Sequence, residues 1–151
     1  MASRWTSGHS SPVTMQLVGP GSWTEVPAQL CYDAADPFAV RIAFGDPAED
    51  DGADGGIAWL LSRELLATGL EQPAGEGDVR LWPSHATSDL LYLHLRAPSG
   101  EALFEVSRAA VAAFLRTTET LVPLGEEAAR LDLDDQLHAL LSSGGGDPTG
   151  R

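Results

Sequence analysis

The sequence predicts an α+β fold built around a mostly antiparallel sheet. Several segments alternate apolar and polar residues with a period of two, and the turn Pro98-Ser99-Gly100 joins two of them as a hairpin. Helical spacing is confined to a few segments that follow strands. The order is about four strands, a short helix, three strands and two helices. Parallel βαβ winding requires regular alternation, so a nucleotide-binding crossover is not expected.

Three strands are predicted from strict alternation. Phe38, Val40, Ile42 and Phe44 share one face of the first; Leu91, Leu93 and Leu95 share one face of the second; Ala102, Phe104 and Val106 share one face of the third. Weaker patterns predict further strands over 13–18, 28–32, 57–61 and 78–82. About seven strands are therefore expected.

Serine residues mark the start of two predicted helices. Ser62 caps a short helix that contains Leu65 and Leu66 and stops at Gly69. Ser107 caps a longer one that ends before Pro123 and has an apolar face formed by Val111, Phe114, Leu115 and Thr118. Asp132 or Asp134 opens a final helix with Leu133, Leu137, Leu140 and Leu141 on one face.

The composition is that of one domain with a self-sufficient core. The chain has 151 residues, 43% of them hydrophobic. Residues 13–141 are expected to fold, and the Ser/Gly/Pro-rich segments 1–12 and 142–151 are expected to be disordered tails. The lone Cys31 cannot form an internal disulfide, and no segment has the length of a signal peptide or membrane span. A cytoplasmic protein that does not insert into membranes is expected.

The net charge of −13 and the absence of lysine argue against binding to polyanions. The one surface suited to base stacking combines Trp82 with Tyr92, His94 and Arg96 of a neighbouring strand. Apolar residues on both faces of several strands favour an alternative in which a helix or a second subunit covers that face. Self-association is a reasonable way to cover it in so short a chain.

No constellation predicts catalysis, a cofactor or a metal. Cys31 lacks a local base, and Asp33 and Asp36 are interpreted as hydrogen-bonding the amides of their own turn. The acidic segment 45–56 is interpreted as a solvated hairpin loop. When an EF-hand loop is aligned with Asp50 first, its third position is Gly52 and its twelfth is Leu61, where a bidentate Glu is required. Gly75-Glu76-Gly77 is interpreted as a turn, and Asp134 with His138 as a surface pair rather than a metal site.

Five phrases together resemble the SsgA-like proteins, a family that controls sporulation-specific cell division in actinomycetes. They keep the family's order and spacing across 13–141. The phrases are Leu30-Cys31-Tyr32-Asp33-Ala34-Ala35-Asp36-Pro37-Phe38-Ala39-Val40, Ser62-Arg63-Glu64-Leu65-Leu66-Ala67-Thr68-Gly69-Leu70, Gly75-Glu76-Gly77-Asp78-Val79-Arg80-Leu81-Trp82-Pro83-Ser84, Phe114-Leu115-Arg116-Thr117-Thr118 and Val122-Pro123-Leu124-Gly125.

The resemblance implies a non-enzymatic regulator with a fold similar to the whirly type, assembled as a trimer. It further implies recruitment to the division septum and contact with the tubulin-like protein FtsZ or other SsgA-like proteins, or a later role in septal wall or spore maturation. A single-stranded nucleic-acid-binding module is the alternative that the whirly likeness raises, and the acidity opposes it. The expected partner-binding residues are Tyr32, Asp33, Asp36, Phe38, Arg80 and Trp82.

Overall fold

A computed structural model describes residues 8–45 and 57–146, which form eight strands and three helices. In chain order these are β1 (Gly8–Gly19), β2 (Ser22–Asp33), β3 (Ala39–Phe44), β4 (Ile57–Ser62), α1 (Arg63–Gly69), β5 (Ala74–Glu76), β6 (Val79–Pro83), β7 (Leu90–Ala97), β8 (Gly100–Ser107), α2 (Arg108–Leu121) and α3 (Glu127–Gly146).

All eight strands belong to one antiparallel sheet with the order β4-β3-β2-β1-β8-β7-β6-β5. The sheet curls until its two edges approach each other. The backbone N–H of Ser62, at the end of β4, donates to Oε1 of Glu76 in β5 at 3.4 Å. Helix α1 follows β4 directly and lies against β5 and β6 as well. The α+β, mostly antiparallel prediction is confirmed.

The core lies between the inner face of the curled sheet and the helices α1 and α2. Alternating residues of the strands point inward, as the period of two requires. They include Met15, Leu30, Val40, Ile42, Leu91, Leu93, Phe104 and Val106. Val111, Phe114, Leu115 and Thr118 of α2 are buried against them, as the helical spacing predicts.

Both predicted serine caps are present. Ser62 Oγ accepts from the backbone N–H of Leu65 at 2.9 Å, and Ser107 Oγ accepts from that of Ala110 at 3.1 Å. Gly69 ends α1 as predicted. A glycine is needed there for close packing rather than for a left-handed C-cap conformation. A Cβ at this position would lie 2.7 Å from Cγ of Leu81 in β6.

Several element boundaries differ from the predictions: eight strands form where about seven were expected, and β2 begins at Ser22 instead of residue 28. Gly75 and Glu76 lie in β5 rather than in a turn, because a three-residue strand has no periodicity and gains its structure by pairing with β6. Residues 8–12 of the predicted tail lie in β1, where pairing with β2 orders them. Helix α3 begins at Glu127 instead of Asp132 or Asp134 and continues to Gly146, past the predicted boundary at 141.

The outer face of the sheet carries mixed polar and aromatic side chains, most of them exposed or half-buried, although Cys31 and Glu105 are buried. In the part of the chain that the structure describes, α1 and α2 both pack on the inner face, so neither of these helices is the predicted cover of the second face, and cover by a second subunit stays a prediction. The remaining segments, 1–7, 46–56 and 147–151, lie outside the described residues. The acidic loop is among them except for Gly45.

Candidate functional site

Four of the five family-like phrases meet at one buried side chain, that of Arg63. This first residue of α1 has no exposed surface. Around it lie Tyr32 from the first phrase, Thr118 from the fourth and Val122 from the fifth. The phrases therefore form one interior centre, which we call the arginine centre: Arg63, Tyr32, Thr118, Val122 and Glu127.

The guanidinium of Arg63 is held by the end of α2 and the start of α3. Nη1 donates to the carbonyl of Val122 at 2.7 Å and to the carbonyl and hydroxyl of Thr118 at 3.2 and 3.3 Å. Nη2 donates to Oε2 of Glu127 at 2.7 Å. Carbonyls at a helix C-terminus are the groups left without intrahelical donors, so Arg63 serves as a side-chain cap for α2.

Glu127 supplies the carboxylate that balances the buried charge of Arg63. Its burial acts to raise its pKa, but the hydrogen bond from Arg63 and the backbone N–H groups of Glu127 and Gly125 outweigh that effect and hold the pKa below 4.5. The charged form is therefore the stable one near neutral pH. A buried charge needs such a partner, since leaving it unpaired costs several kcal/mol.

Tyr32 closes the centre from the side of the sheet. Its ring centroid lies 5.0 Å from Cζ of Arg63, a cation–π contact, and its hydroxyl donates to the carbonyl of Pro37 at 2.9 Å. Burial raises the pKa of this phenol above 10.0, although Arg63 opposes the effect. Tyr32 is only 1% exposed, and its hydroxyl supports the turn from the interior.

The predicted hydrogen bonding within the turn that follows Tyr32 is confirmed for the side chain of Asp33, whereas Asp36 contributes its backbone carbonyl. Asp33 Oδ1 accepts from the backbone N–H of Ala35 at 2.9 Å, and the carbonyls of Asp33 and Asp36 accept from later amides of the same turn. The side chains of Asp36 and Phe38 are exposed, and Phe38 also accepts a backbone hydrogen bond from Arg63 at 2.7 Å. The turn is thus fixed to the arginine centre while presenting an apolar ring to solvent.

The remaining family-like phrase forms a surface groove instead. A groove of about 670 Å³ is lined by Arg80, Trp82 and the glycine-rich β5 segment 73–77. Arg80 pairs across the sheet with Gly75, whose missing side chain leaves room for the arginine stem. Trp82 stacks on Tyr92 of β7 with ring centroids 5.7 Å apart. We call this surface the Trp82 groove.

The Trp82 groove and the exposed turn flank the same end of α1. Ala39, one residue after Phe38, pairs with Ser62, and Ser62 in turn contacts Glu76 at the groove. The arginine centre lies directly beneath, because Arg63 follows Ser62. Asp33, Asp36, Phe38, Arg80 and Trp82 therefore lie on segments connected through the contact between Ser62 and Glu76, whereas Tyr32 lies in the interior.

The predicted aromatic surface is present, but it is accompanied by carboxylates. His94 lies across from Arg80, and Tyr92 across from Trp82. His94 Nε2 lies 2.6 Å from Oε1 of Glu101, and the Tyr92 hydroxyl donates to Glu105 at 3.3 Å. Two acids beside these aromatic rings would repel the phosphates of a nucleic acid.

The other polar residues considered from sequence remain separate. Cys31 is buried with its Sγ 3.7 Å from Oγ of Ser10. His9 stacks on Phe114 at 5.6 Å and His138 lies on exposed α3. Over residues 8–45 and 57–146, no three His, Cys, Asp or Glu side chains come together as metal ligands. The same residues include no helix long and apolar enough to cross a membrane.

The fold and its arginine centre define a class of protein. It is a small antiparallel α+β domain in which the family-like sequence segments form a buried arginine centre and leave one groove and one turn exposed. The chain belongs to the SsgA family, because residues 26–127 match the family model described as Streptomyces sporulation and cell division protein, SsgA. The family is one of sporulation and cell-division proteins, and the chain shares that general function.

Individual relatives agree with the family assignment. The chain is 45% identical to the sporulation-specific cell division protein SsgB of Salinispora tropica over 85% of this chain and 90% of that protein. It is 41% identical to SsgB of Streptomyces coelicolor over 83% and 89%. The nucleic-acid alternative is not favoured by these relatives.

Solved structures share the fold. An SsgA-like sporulation-specific cell division protein from Thermobifida fusca has a TM-score of 0.76 and 34% identity, with 87% of this chain and 94% of that chain covered. A chain from work on SsgB mutations that correlate with longitudinal cell division during sporulation of Streptomyces coelicolor has a TM-score of 0.72 and 39% identity, with coverage of 82% and 94%.

Arg63 is the residue that sequence reasoning missed. It stands at the first helical position after the Ser62 cap and three residues before the buried Leu66, so the i, i+3 rule places both on one helix face. Its spacing from Leu66 was the sequence signal that Arg63 faces the core. An arginine there is mostly exposed in ordinary helices, so only the presence of Glu127 in the fold reveals its burial.

Proposed function

We propose that this protein is a non-enzymatic regulator that assembles as a homo-oligomer, a trimer in the simplest case, and positions division machinery at the sporulation septum. The similarity to sporulation-specific cell division proteins over most of the chain is the observation that carries this proposal. The partner is FtsZ or another SsgA-like protein, met by direct protein contact.

The contact surface in this proposal is the Trp82 groove together with the exposed turn at Asp36 and Phe38. Arg80 is exposed and has no carboxylate partner among the described residues, although the chain is strongly acidic. Trp82 offers a rigid aromatic face because Tyr92 stacks behind it. Arginine and tryptophan are the residues most often found at the energetic centres of protein interfaces.

The first experiment follows a functional fluorescent fusion in sporulating hyphae, imaged alongside FtsZ before and during septation. Ladder-like foci that precede or coincide with FtsZ support a placement role. Diffuse signal during septation, or foci only after septa close, would contradict FtsZ recruitment and favour a role in wall or spore maturation.

The surface is tested with matched charge reversals in purified protein and in hyphae. Arg80→Glu and Trp82→Ala are expected to weaken binding to purified FtsZ by at least tenfold and to abolish septal foci. Arg116→Glu is the control, because it makes the same charge change on an exposed position of α2. Equal losses in Arg80→Glu and Arg116→Glu, or none in either, would remove the groove from consideration.

A further inference from the structure

Glu105 is a buried carboxylate on the outer face of the sheet, and no cation balances it. The residue lies between the inward-facing Phe104 and Val106 of β8, so its side chain points outward, yet it is only 7% exposed. Its Oε2 accepts from the hydroxyl of Tyr92 at 3.3 Å. The ion pairs in the described part of the chain all join other residues. A buried charge without a counter-charge opposes folding, so this carboxylate indicates a cation that comes from outside the folded chain.

The side chains around Glu105 form a half-buried and mostly apolar frame. Tyr92 lies across from Glu105 on β7, and Gln16 lies across from it on β1. The register of β1 with β8, continued by two residues, brings Val18 beside Leu103, and neither of these side chains belongs to the core. All four neighbours are half-buried. Such a frame excludes water when a partner covers it, which strengthens a contact to the carboxylate. We call these five residues the Glu105 site.

The carboxylate of Glu105 is available to a ligand that approaches from outside. Its Oε1 takes no hydrogen bond from the described residues and is not sealed from solvent. Two basic side chains on the next row of the sheet do not neutralise it. His94 has its Nε2 2.6 Å from Oε1 of Glu101, and Arg80, which lies across from His94, forms no ion pair with Glu105.

The charge of the chain selects the kind of occupant. Glu25 lies across from Gln16, so a second carboxylate continues the row that begins at Glu105. A second copy of a chain with no lysine and a net charge of −13 would place like charges against this face. Nucleic acid would place phosphates there, with the same repulsion. A basic segment of a different protein is the complementary partner.

Arginine suits the Glu105 site better than lysine does. A planar guanidinium contacts both oxygens of a carboxylate and also stacks on an aromatic ring, whereas an ammonium is a compact point charge. The ring of Tyr92 lies beside Glu105 and is held by its stacking on Trp82 at 5.7 Å. A guanidinium at this position therefore gains both an ion pair and a cation–π contact.

The row of paired residues that contains Glu105 is long enough for a short peptide segment. It crosses five neighbouring strands, β6, β7, β8, β1 and β2. Its members are Trp82, Tyr92, Glu105, Gln16 and Glu25. At a strand spacing of roughly 4.8 Å the row is about 19 Å long, which roughly six extended residues span.

We propose that the Glu105 site binds an arginine-bearing segment of a partner protein. The guanidinium lies on the carboxylate of Glu105 and the ring of Tyr92, and apolar neighbours of the arginine lie on Val18 and Leu103. This surface goes beyond the proposed function and does not depend on it, because none of the five site residues lines the Trp82 groove. The unpaired carboxylate serves binding rather than folding.

Peptide display on the full chain tests the proposal. Random dodecapeptides enriched on the immobilised wild-type protein are expected to carry arginine beside apolar residues. Synthetic versions of these peptides are expected to bind Glu105→Gln at least tenfold more weakly, because the amide keeps the shape of the side chain but removes its charge. Glu119→Gln is the control, since it makes the same change on α2, and it is expected to alter the affinity by less than twofold.

Two further measurements separate binding from folding. Replacement of the peptide arginine by citrulline is expected to weaken binding to the wild-type protein at least tenfold but to change binding to Glu105→Gln less than twofold, as coupled groups require. The urea midpoint of Glu105→Gln is expected to equal or exceed that of the wild type, because the variant loses no ion pair. Enriched peptides without arginine, or equal effects of citrulline on the two proteins, would overturn the proposal. A lower urea midpoint would also overturn it, since Glu105 would then serve the fold.

Discussion

Arg63 and Glu127 stand 64 positions apart in the chain and form a buried ion pair in which Nη2 lies 2.7 Å from Oε2. The pair joins the start of α1 to the start of α3 and encloses the end of α2 between them. Because Arg63 also contacts Tyr32 of β2, one guanidinium connects all three helices to the sheet. The stability of the fold should therefore be unusually sensitive to this one pair.

Removing the charge of Glu127 is expected to destabilise the protein strongly. Glu127→Gln leaves the Arg63 guanidinium buried without a counter-charge, and such losses cost about 3 kcal/mol or more. Urea unfolding measures the change as a lower midpoint at an unchanged slope. Glu126→Gln is the control, because this neighbouring side chain is exposed. A Glu127→Gln effect within about 0.5 kcal/mol of that of the control would show that the carbonyl acceptors alone satisfy Arg63.

The same pair predicts a specific loss of stability in acid. The pKa of Glu127 is lower in the folded chain than its ordinary 4.5. The unfolded chain therefore takes up the proton first, and the contribution of Glu127 is complete above pH 4.5 and lost as the pH falls through the folded-state pKa.

Comparison with Glu127→Gln isolates this contribution from that of the other carboxylates. The difference in unfolding free energy between the two proteins is expected to be constant at pH 6–7 and to shrink as the pH falls below 4.5. Urea midpoints at several pH values give both curves. A difference that stays constant down to pH 3 would contradict the linkage.

The close approach of Gly69 to Leu81 predicts that a methyl group is not tolerated between α1 and β6. Gly69→Ala improves helix propensity, but its Cβ would lie 2.7 and 2.9 Å from Cγ and Cβ of Leu81. We expect a net loss of about 1–3 kcal/mol, typical of overpacking. Leu81→Val tests the cause, since the double variant should lose less than the sum of the single variants. Strict additivity in thermal or urea unfolding would locate the strain elsewhere.

The regular parts of the fold could be predicted because their signals are local. Strands β3, β7 and β8 carry the alternation that their pairing requires, and the Ser62 and Ser107 caps lie beside their helices in sequence. The three-residue β5 offers no such pattern, and its glycine obtains strand geometry only from β6. The early start of α3 depends on the ion pair of Glu127 with a residue 64 positions away, which no local pattern contains.

The candidate site was predictable in part for the same reason. Arg80 and Trp82 stand two residues apart on a strand, so their shared face follows from the sequence. The structure adds the segment 73–77, with Gly75 opposite Arg80. Tyr32 belongs to the same family-like phrase as the exposed Phe38, yet it is buried because the chain turns between them. In this turn, residues that are close in sequence differ in burial, so the sequence alone does not show which of them are exposed.

The last prediction tests whether Tyr32 acts from the interior, where its hydroxyl supports the turn. Tyr32→Phe keeps the ring beneath Arg63 but removes the donor to the Pro37 carbonyl, which lies 2.9 Å away in the interior. We expect a loss of about 1–2 kcal/mol, the usual cost of leaving a buried acceptor unpaired. Urea unfolding measures this loss, and binding to purified FtsZ, measured well below the midpoint, should change less than twofold. A tenfold loss of binding in a stably folded Tyr32→Phe protein would instead show that the Tyr32 hydroxyl holds the Asp33–Phe38 turn in the geometry that the partner requires.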